Sequence, residues 1–233
     1  EMSRGLGDVY KRQVKNINLV CGTDCSQAED LFDATQNLDG FVFTSSMLKT
    51  CAVNLSKICN DLRLLSSGPK TGIGEINLPP KQNGSSIMPG KINPVIPEVV
   101  SQVAYNVIGN DTTVTLAAEA GQLELNAFEP VVFYKIFESI DTMTGAVRTL
   151  IDNCILGITA NRKRCEQLVE SSVSLATALC PYIGYKKAAD IAKQSLETGI
   201  PVRELVQNSG LLTQEQLENG LNLLSMTQPG HQF

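Results

Sequence analysis

The chain has 233 residues, of which 42% are hydrophobic and 18% charged, so it is long enough to bury the core of one large domain or two small ones. A net charge of −5 and the lack of any basic run argue against a nucleic-acid partner. No apolar run approaches the about 20 residues of a membrane-spanning helix, and no signal peptide is visible. The composition therefore predicts a cytoplasmic protein with no membrane partner.

The seven cysteines are an odd number in a chain too large to need disulfide bonds, which indicates free thiols in a reducing compartment. Cys21 and Cys25 have the spacing of half a metal site, but no second pair or histidine cluster completes it. The one histidine, His231, lies in a Pro-Gly segment typical of a frayed tail. Any acid–base chemistry must therefore use other groups, or a histidine from elsewhere.

Hydrophobic periodicity predicts three long helices. The first has an apolar stripe over 48–65 and ends at 66–69, where Ser-Ser-Gly-Pro cannot extend a helix. The second covers 99–108, and Gly-Asn-Asp at 109–111 predicts an interruption or a kink. The third covers 130–151. Long helices with apolar stripes and few strand signals predict an all-α fold built on a long-helix bundle.

Shorter helices are predicted in the C-terminal third. Thr159 is a candidate cap for a helix over 160–172, and Gly184 precedes a helix over 185–198. Thr213 opens a Thr-Gln-Glu-Gln sequence with capping-box spacing. The glycines expected to end helices are Gly199, Gly210 and Gly220. This change in pattern places a domain boundary near residue 157 and predicts a small helical C-terminal domain over 157–233.

The segment 68–95 is rich in Gly, Pro, Ser and Asn and predicts a long loop, and loops of this length are commonly functional or disordered. Its centre, GSSIMPGKINP at 84–94, almost matches a phosphate-binding loop. However, five residues separate Gly84 from Gly90, and Ile92 stands where the phosphate-binding loop needs a hydroxyl. No strand pattern precedes the loop either, so a nucleotide-binding function is disfavoured.

The same loop carries groups that suit a small dianion. Ser85 and Ser86 offer hydroxyls and amides, Lys91 offers a positive charge, and Asn93 offers a side-chain amide. These groups fit a dicarboxylate better than a polyphosphate. On composition alone, a Gly-Pro surface loop with incidental polar residues is an equal alternative.

This loop resembles the signature loop of the aspartase/fumarase superfamily, lyases that eliminate across a carbon–carbon bond to release fumarate. KICNDLRLLSSGPKTGIGEINLP at 57–79 and VIGNDTTVTLAAEAGQLELNAFEP at 107–130 extend the resemblance. GITANRKRCEQLVESS at 157–172 and PYIGYKKAADIAK at 181–193 continue it. The resemblance covers nearly all of the chain from Val14 onward. It implies the second half of a central helical bundle over residues 14 to 156, followed by the C-terminal domain.

Within the superfamily the sequence resembles the aspartase branch, which eliminates ammonia from L-aspartate. The loop continues as Asn-Pro-Val-Ile-Pro-Glu at 93–98, where fumarases usually have Asn-Pro-Thr-Gln. Gly-Gln-Leu at 121–123 replaces the Gly-Asn-Phe that fumarases tend to have, and Glu129 replaces their arginine. Fumarase, which interconverts malate and fumarate, is the alternative within the superfamily.

The resemblance implies roles for five residues. Ser85 is the general base that takes the proton beside the β-carboxylate, and Ser86 helps to bind that carboxylate. Lys91 and Asn93 bind the α-carboxylate, and Glu98 corresponds to an acid that orients an active-site histidine. Each role has a structural alternative. Ser85 could cap a turn, Lys91 could be a solvated surface lysine, and Glu98 could be a carboxylate favoured at a helix N-terminus.

No cofactor and no metal are implied, because anti elimination of ammonia requires neither. The other substrate-binding segments of the superfamily are not in this sequence, so the resemblance implies about half an enzyme, inactive alone. Superfamily sites combine segments from three subunits, which implies a homotetramer acting on a small dicarboxylate. EMSRGLGDVYKRQ at 1–13 does not match and is interpreted as a non-native leader.

An interpretation from another class is a non-catalytic helical module that serves oligomerisation. Its support is the width of the apolar helix stripes, which a half-length monomer would expose.

Overall fold

The structure is a computed structural model that describes residues 2–82, 88 and 92–228. The described residues are mainly helical, which confirms the predicted all-α class. They divide into two compact units, one formed by Glu1–Arg63 with Pro79–Gly157 and one by Leu64–Leu78 with Ile158–Phe233. No pattern in the sequence predicted that Leu64–Leu78 would group with the C-terminal residues. Within the described part, no helix is long and apolar enough to cross a membrane.

The first unit contains five helices and one 3-10 turn in its described residues. These are α1 (Met2–Cys21), α2 (Leu31–Gln36), α3 (Asp39–Leu65), α4 (Val95–Glu119), α5 (Glu129–Asn153) and a 3-10 helix (Ile155–Gly157). The three predicted long helices are confirmed as α3, α4 and α5, and α3 begins nine residues before its predicted stripe. Pro130 lies in the first turn of α5, where a missing N–H costs no hydrogen bond.

Two apolar clusters hold α3, α4 and α5 together, and α4 packs closely against α5. Their fully or nearly buried members are Leu38, Val114, Ala117, Val132 and Ile136 in one cluster, and Ala52, Ala104, Val107 and Met143 in the other. A valine removed from water in this way contributes about 1.5–3 kcal/mol relative to an exposed one. The bundle is therefore stabilised by apolar faces of all three helices, of which α4 supplies Ala104, Val107, Val114 and Ala117.

The predicted interruption at 109–111 is wrong, because α4 runs without a break from Val95 to Glu119. Asn and Asp disrupt helices when their side chains bond the local backbone. Asn110 and Asp111 instead are each 4% exposed and bond neighbouring helices. Their tertiary partners replace the local hydrogen bonds that would have ended the helix.

Asp111 links α4 to α3. Its carboxylate accepts hydrogen bonds from Ser45 Oγ at 2.8 Å and from Lys49 Nζ at 2.5 Å. The Asp111 side chain is 5% exposed and that of Lys49 is 40% exposed, so the ion pair keeps one solvated end. A carboxylate buried to this extent is tolerated only where charge-assisted hydrogen bonds replace its water.

Asn110 links α4 to α5. Its side-chain amide donates to Glu138 Oε2 at 2.9 Å and to Ser139 Oγ at 3.1 Å. Lys135 Nζ donates to the same Glu138 oxygen at 2.8 Å. The hydrogen bond from Lys135, followed by the one from Asn110, lowers the pKa of Glu138 from its ordinary value. Asn110, Asp111 and their partners form what we call the polar layer of the bundle.

The second unit is built from seven short helices and one pair of short strands among its described residues. The helices are α6 (Arg162–Glu170), α7 (Leu175–Ala178), α8 (Cys180–Ile183), α9 (Tyr185–Thr198), α10 (Val202–Ser209), α11 (Gln214–Gly220) and α12 (Leu223–Met226). They enclose a core whose members are Leu175, Ala176, Leu179, Ile191, Val202, Leu205, Val206, Leu217 and Leu221. The helix predicted after Gly184 is confirmed as α9.

The turn signals of this unit are mostly confirmed. Thr213 and Gln216 form the predicted capping box at the start of α11, with both reciprocal hydrogen bonds present. Gly199 and Gly210 end α9 and α10 with positive φ values of 73° and 64°, a conformation that glycine adopts without strain.

The predicted cap at Thr159 is wrong. Thr159 lies in the strand β2 (Thr159–Ala160), which pairs antiparallel with β1 (Ile76–Asn77), and α6 begins only at Arg162. The partner strand is far away in sequence, so local cap statistics could not indicate it.

Replacing Asp111 with Ala should lower the free energy of unfolding by about 2–3 kcal/mol, because Ser45 and Lys49 lose their shared acceptor. The loss should stay below that of a fully buried pair since Lys49 can return to water. Urea denaturation of the chain measures it. Asp141→Ala on the exposed side of α5 is the matched control, and equal effects of the two changes would contradict a stabilising role for the polar layer.

Candidate functional site

The structure describes two of the five predicted site residues. Asn93 and Glu98 lie at the end of the loop and in the first turn of α4. Ser85, Ser86 and Lys91 lie outside the described residues. The geometry below therefore concerns the chain on either side of the loop, and the roles of all five residues stay predictions.

The loop ends in a tight turn that starts α4. The carbonyl of Asn93 accepts a hydrogen bond from the Val95 amide at 2.9 Å, and the carbonyl of Pro94 accepts one from the Glu98 amide at 3.1 Å. Pro94 is the N-cap residue and makes no side-chain capping bond. Pro97 is buried in the same first turn, where its fixed φ suits the helix. The backbone direction after Asn93 is thus set by two hydrogen bonds and two prolines.

Glu98 is the acidic residue of the first turn of α4, where the partial positive charge of the helix end favours a carboxylate. Its Oε1 lies 3.9 Å from Nη2 of Arg63 near the end of α3, and both side chains are about 40% exposed, at 39% and 41%. An ion pair of this length and exposure contributes little to stability. Glu98 therefore keeps one side open to solvent, and His231 lies outside the described residues.

The chain before the loop is held by two residues to which the sequence analysis gave no role. Asn161 and Arg164, at the start of α6, donate hydrogen bonds to the backbone of the segment that leads into β1. Both lie within the block GITANRKRC that carried part of the resemblance. The available sequence signal for these two residues was a pair of strong hydrogen-bond donors close together, just after the two strand residues. Nothing near them in the sequence indicates which groups they bond.

Neither of the two buried cysteines, Cys59 and Cys154, is an activated nucleophile. Burial, with a smaller effect from Cys154, raises the pKa of Cys59 to about 11. Burial also raises the pKa of Cys154 from its ordinary value. A thiol with a raised pKa is protonated at neutral pH and is a poor nucleophile.

Cys21 and Cys25 are exposed and free, and the side chain of Asn18 bonds both the amide and the carbonyl of Cys25, at 2.8 and 2.7 Å. Across the described ranges, no group of three or more His, Cys, Asp and Glu side chains could hold a metal ion.

Two family models match the chain. One, described as Lyase, matches residues 7–109, and the other, described as Fumarase C C-terminus, matches residues 175–228. The class that fold and matched models define together is a helical lyase-type bundle followed by a fumarase-type C-terminal domain.

Curated relatives narrow this class. The chain is 56% identical to the aspartate ammonia-lyase of Pseudomonas aeruginosa, over 94% of the chain and 46% of that protein. It is 50% identical to the Escherichia coli aspartate ammonia-lyase, over 94% of the chain and 46% of the relative. It is 49% identical to the Bacillus subtilis aspartate ammonia-lyase, over 96% of the chain and 47% of the relative. The chain thus spans about half the length of the curated relatives it matches.

Solved structures show the same relationship. A crystal structure of fumarate lyase:delta crystallin from Brucella melitensis bound to cobalt matches with a TM-score of 0.87 and 50% identity, over 93% of this chain and 47% of that one. A crystal structure of a class II fumarase from Schistosoma mansoni matches with a TM-score of 0.81 and 33% identity, over 88% of this chain and 43% of that one. The chain belongs to the aspartase/fumarase superfamily, as its signature loop indicated.

Glu98→Gln should change the free energy of unfolding by less than about 1 kcal/mol, because the pair with Arg63 is long and half-exposed. Thermal denaturation of the chain measures this. A loss as large as that caused by removing a buried ion pair would contradict it and would assign Glu98 a structural role.

The matched control is Glu138→Gln, which weakens an acceptor shared by Asn110 and Lys135 and should destabilise more. The pKa of Glu138 is lowered, so its extra stabilisation is present above the ordinary glutamate pKa. It should vanish as the pH falls through the lowered pKa of Glu138.

Proposed function

We propose that this chain supplies the proton-abstracting loop of an enzyme that eliminates ammonia from L-aspartate to give fumarate. The observation that carries the proposal is GSSIMPGKINP within a chain 49–56% identical to aspartate ammonia-lyases. The 33% identity to the Schistosoma mansoni fumarase supports the choice between the two reactions. A small dicarboxylate is accordingly the proposed ligand.

The reaction needs a strong base and a site prepared for negative charge. A hydrogen beside a carboxylate is weakly acidic, and its removal gives an aci-carboxylate with an added charge. Ser85 is proposed as the base: its oxygen takes the β-proton, the electrons of the C–H bond form the double bond, and the C–N bond breaks to release ammonia. A serine oxygen serves in this way only where amides and cations stabilise the alkoxide.

The neighbouring polar groups are proposed to bind the two carboxylates. Ser86 contributes a hydroxyl to the β-carboxylate, where charge increases during the reaction. Lys91 and Asn93 bind the α-carboxylate, one as a point charge and one as a directional donor. The ordered turn after Asn93 supports this assignment, because it fixes the backbone from which the amide side chain extends.

Glu98 is proposed to orient a histidine supplied by another part of the assembly. Its position in the first turn of α4, half-exposed beside Arg63, supports this role. A carboxylate that contributes little to stability but stays accessible is suited to accept a hydrogen bond from an imidazole. All seven thiols are free, which fits the reducing cytoplasm that we propose for the enzyme.

A homotetramer is part of the proposal, since large apolar side chains on the bundle helices are exposed in the chain alone. Phe43 is 69% exposed, Phe137 63% and Tyr134 61%. Apolar area of this kind marks interaction surfaces. The same observation favours the second candidate function, a non-catalytic oligomerisation module, and activity distinguishes the two.

A hybrid tests the function: the matching residues of the Pseudomonas aeruginosa aspartate ammonia-lyase are replaced by this chain. We expect the hybrid to form fumarate from L-aspartate and not from malate. The ultraviolet absorbance of fumarate measures its formation. Activity on malate alone would favour the fumarase alternative. An assembled but inactive hybrid would favour the non-catalytic module.

In the active hybrid, Ser85→Ala should reduce kcat by at least about a hundred-fold, the usual contribution of a positioned proton acceptor, and leave assembly unchanged. Lys91→Met should mainly raise KM, because it removes charge from the α-carboxylate site. Lys81→Met, an exposed lysine of the same loop region, is the matched control and should change neither constant. Near-parental kcat in Ser85→Ala, with size-exclusion profiles equal, would contradict the base assignment.

A further inference from the structure

We propose that Arg164, together with Asn161, is a positioning residue for this reaction, fixing the backbone by which the chain approaches the signature loop. The inference rests on the proposed function, because its consequence is expressed in the rate of elimination. The contacts that carry it all lie within the second unit, where the start of α6 lies against the segment 72–77. We call this arrangement the carbonyl clamp.

Arg164 bonds two successive carbonyls. Its Nε donates to the carbonyl of Ile73 at 2.9 Å, and its Nη2 donates to the carbonyl of Gly72 at 3.1 Å. The planar guanidinium presents these donors at a fixed angle, so two simultaneous bonds fix the direction of both carbonyls. Lysine could place one donor on one carbonyl but could not fix the pair.

Asn161 continues the series with the next two carbonyls. Its Nδ2 donates to the carbonyl of Gly74 at 2.9 Å, and its backbone amide donates to the carbonyl of Glu75 at 2.8 Å. Its side chain also exchanges hydrogen bonds with the side chain of Asn77, at 2.8 and 3.0 Å. Four consecutive carbonyls, from Gly72 to Glu75, are therefore each bonded by Asn161 or Arg164.

The opposite edge of the same segment is held by the end of α3 and the turn that follows it. The amide of Ile73 donates to Ser67 Oγ at 3.1 Å, and the amide of Glu75 donates to the carbonyl of Leu65 at 2.9 Å. A Cβ on Gly72 would lie 2.4 Å from the carbonyl of Ser67, so only glycine fits there. The segment is thus held on both edges although it forms only a two-residue strand.

Residues 72–76 are half-buried, and Gly74 is buried, so the carbonyls of this segment cannot all be left to water. Here side chains from about 90 residues further along the chain replace that water, and the held segment ends at Asn77, eight positions before Ser85 in the sequence. A fixed approach reduces the positions open to the catalytic oxygen, and misplacing such a group by about 1 Å can reduce the rate about a hundred-fold.

Substitution of Arg164 tests the inference with two independent measurements. Arg164→Met and Arg164→Lys are compared with Arg162→Met, which removes the same charge from an exposed site two residues earlier in the same helix. In the hybrid, Arg164→Met should lower kcat about ten- to hundred-fold and change KM little, with Arg164→Lys between it and the parent. Arg162→Met should match the parent.

The second measurement is amide hydrogen exchange on the full 233-residue chain. Exchange across residues 72–77 should be at least about ten-fold faster in Arg164→Met, which removes both charge-assisted hydrogen bonds of the guanidinium, while the exchange of α9 stays unchanged. Arg162→Met should show no change in either segment. Faster exchange throughout the second unit would indicate general destabilisation and would overturn a positioning role.

The outcomes separate this inference from the proposed function. A parent hybrid that assembles but is inactive rejects the proposed function, and the exchange experiment then decides whether the clamp orders residues 72–77. An active hybrid in which Arg164→Met and Arg162→Met have equal kcat values overturns the inference while the proposed function stands. Unchanged exchange in Arg164→Met overturns the inference regardless of activity.

Discussion

The buried carboxylate of Asp111 imposes the constraint on which the bundle depends. A charge that is 4% exposed as a residue must be paired, and its partners Ser45 and Lys49 come from α3. Adjacent residues on a helix point about 100° apart, so Asn110 faces a different neighbour and bonds α5. The two adjacent residues Asn110 and Asp111 therefore fix the rotation of α4 about its own axis relative to α3 and α5. The first turn of the same rigid helix carries Glu98 and receives the end of the loop, so the polar layer also determines where those residues lie.

The sequence predicted the long helices because their signal is local and repetitive. Apolar residues recur at helical spacing along α3, α4 and α5, and terminal glycine and proline mark the ends. It failed at 109–111, where the turn tendencies of Asn and Asp are real but are overridden by partners 28 to 66 positions away. Thr159 failed for the same reason, since its strand partner Asn77 lies 82 positions away. Local rules could not indicate these contacts.

The candidate site divides in a similar way. The loop could be recognised from GSSIMPGKINP because its residue types and spacing are unusual and contiguous. The geometry around it could not, because Arg164 acts on carbonyls about 90 positions earlier in the chain and a backbone acceptor leaves no trace in the residue types of Gly72 and Ile73. Gly72 is visible in the sequence, but a glycine by itself shows neither that its position requires glycine nor that it lies against the Ser67 carbonyl.

The width of the apolar stripes connects the fold of this chain to the need for partners. On α5, Val132, Ile136 and Leu150 are 0%, 6% and 5% exposed, whereas Phe137 and Ile151 on the same helix are 63% and 45% exposed. A helix that packs on one side of a single bundle needs an apolar arc of only about 100°. Phe137 and Ile151 therefore contribute little to the packing among the described residues. Since exposed aromatic area favours association, the uncovered residues of α5 are the part of this helix that is suited to pack against a further helix.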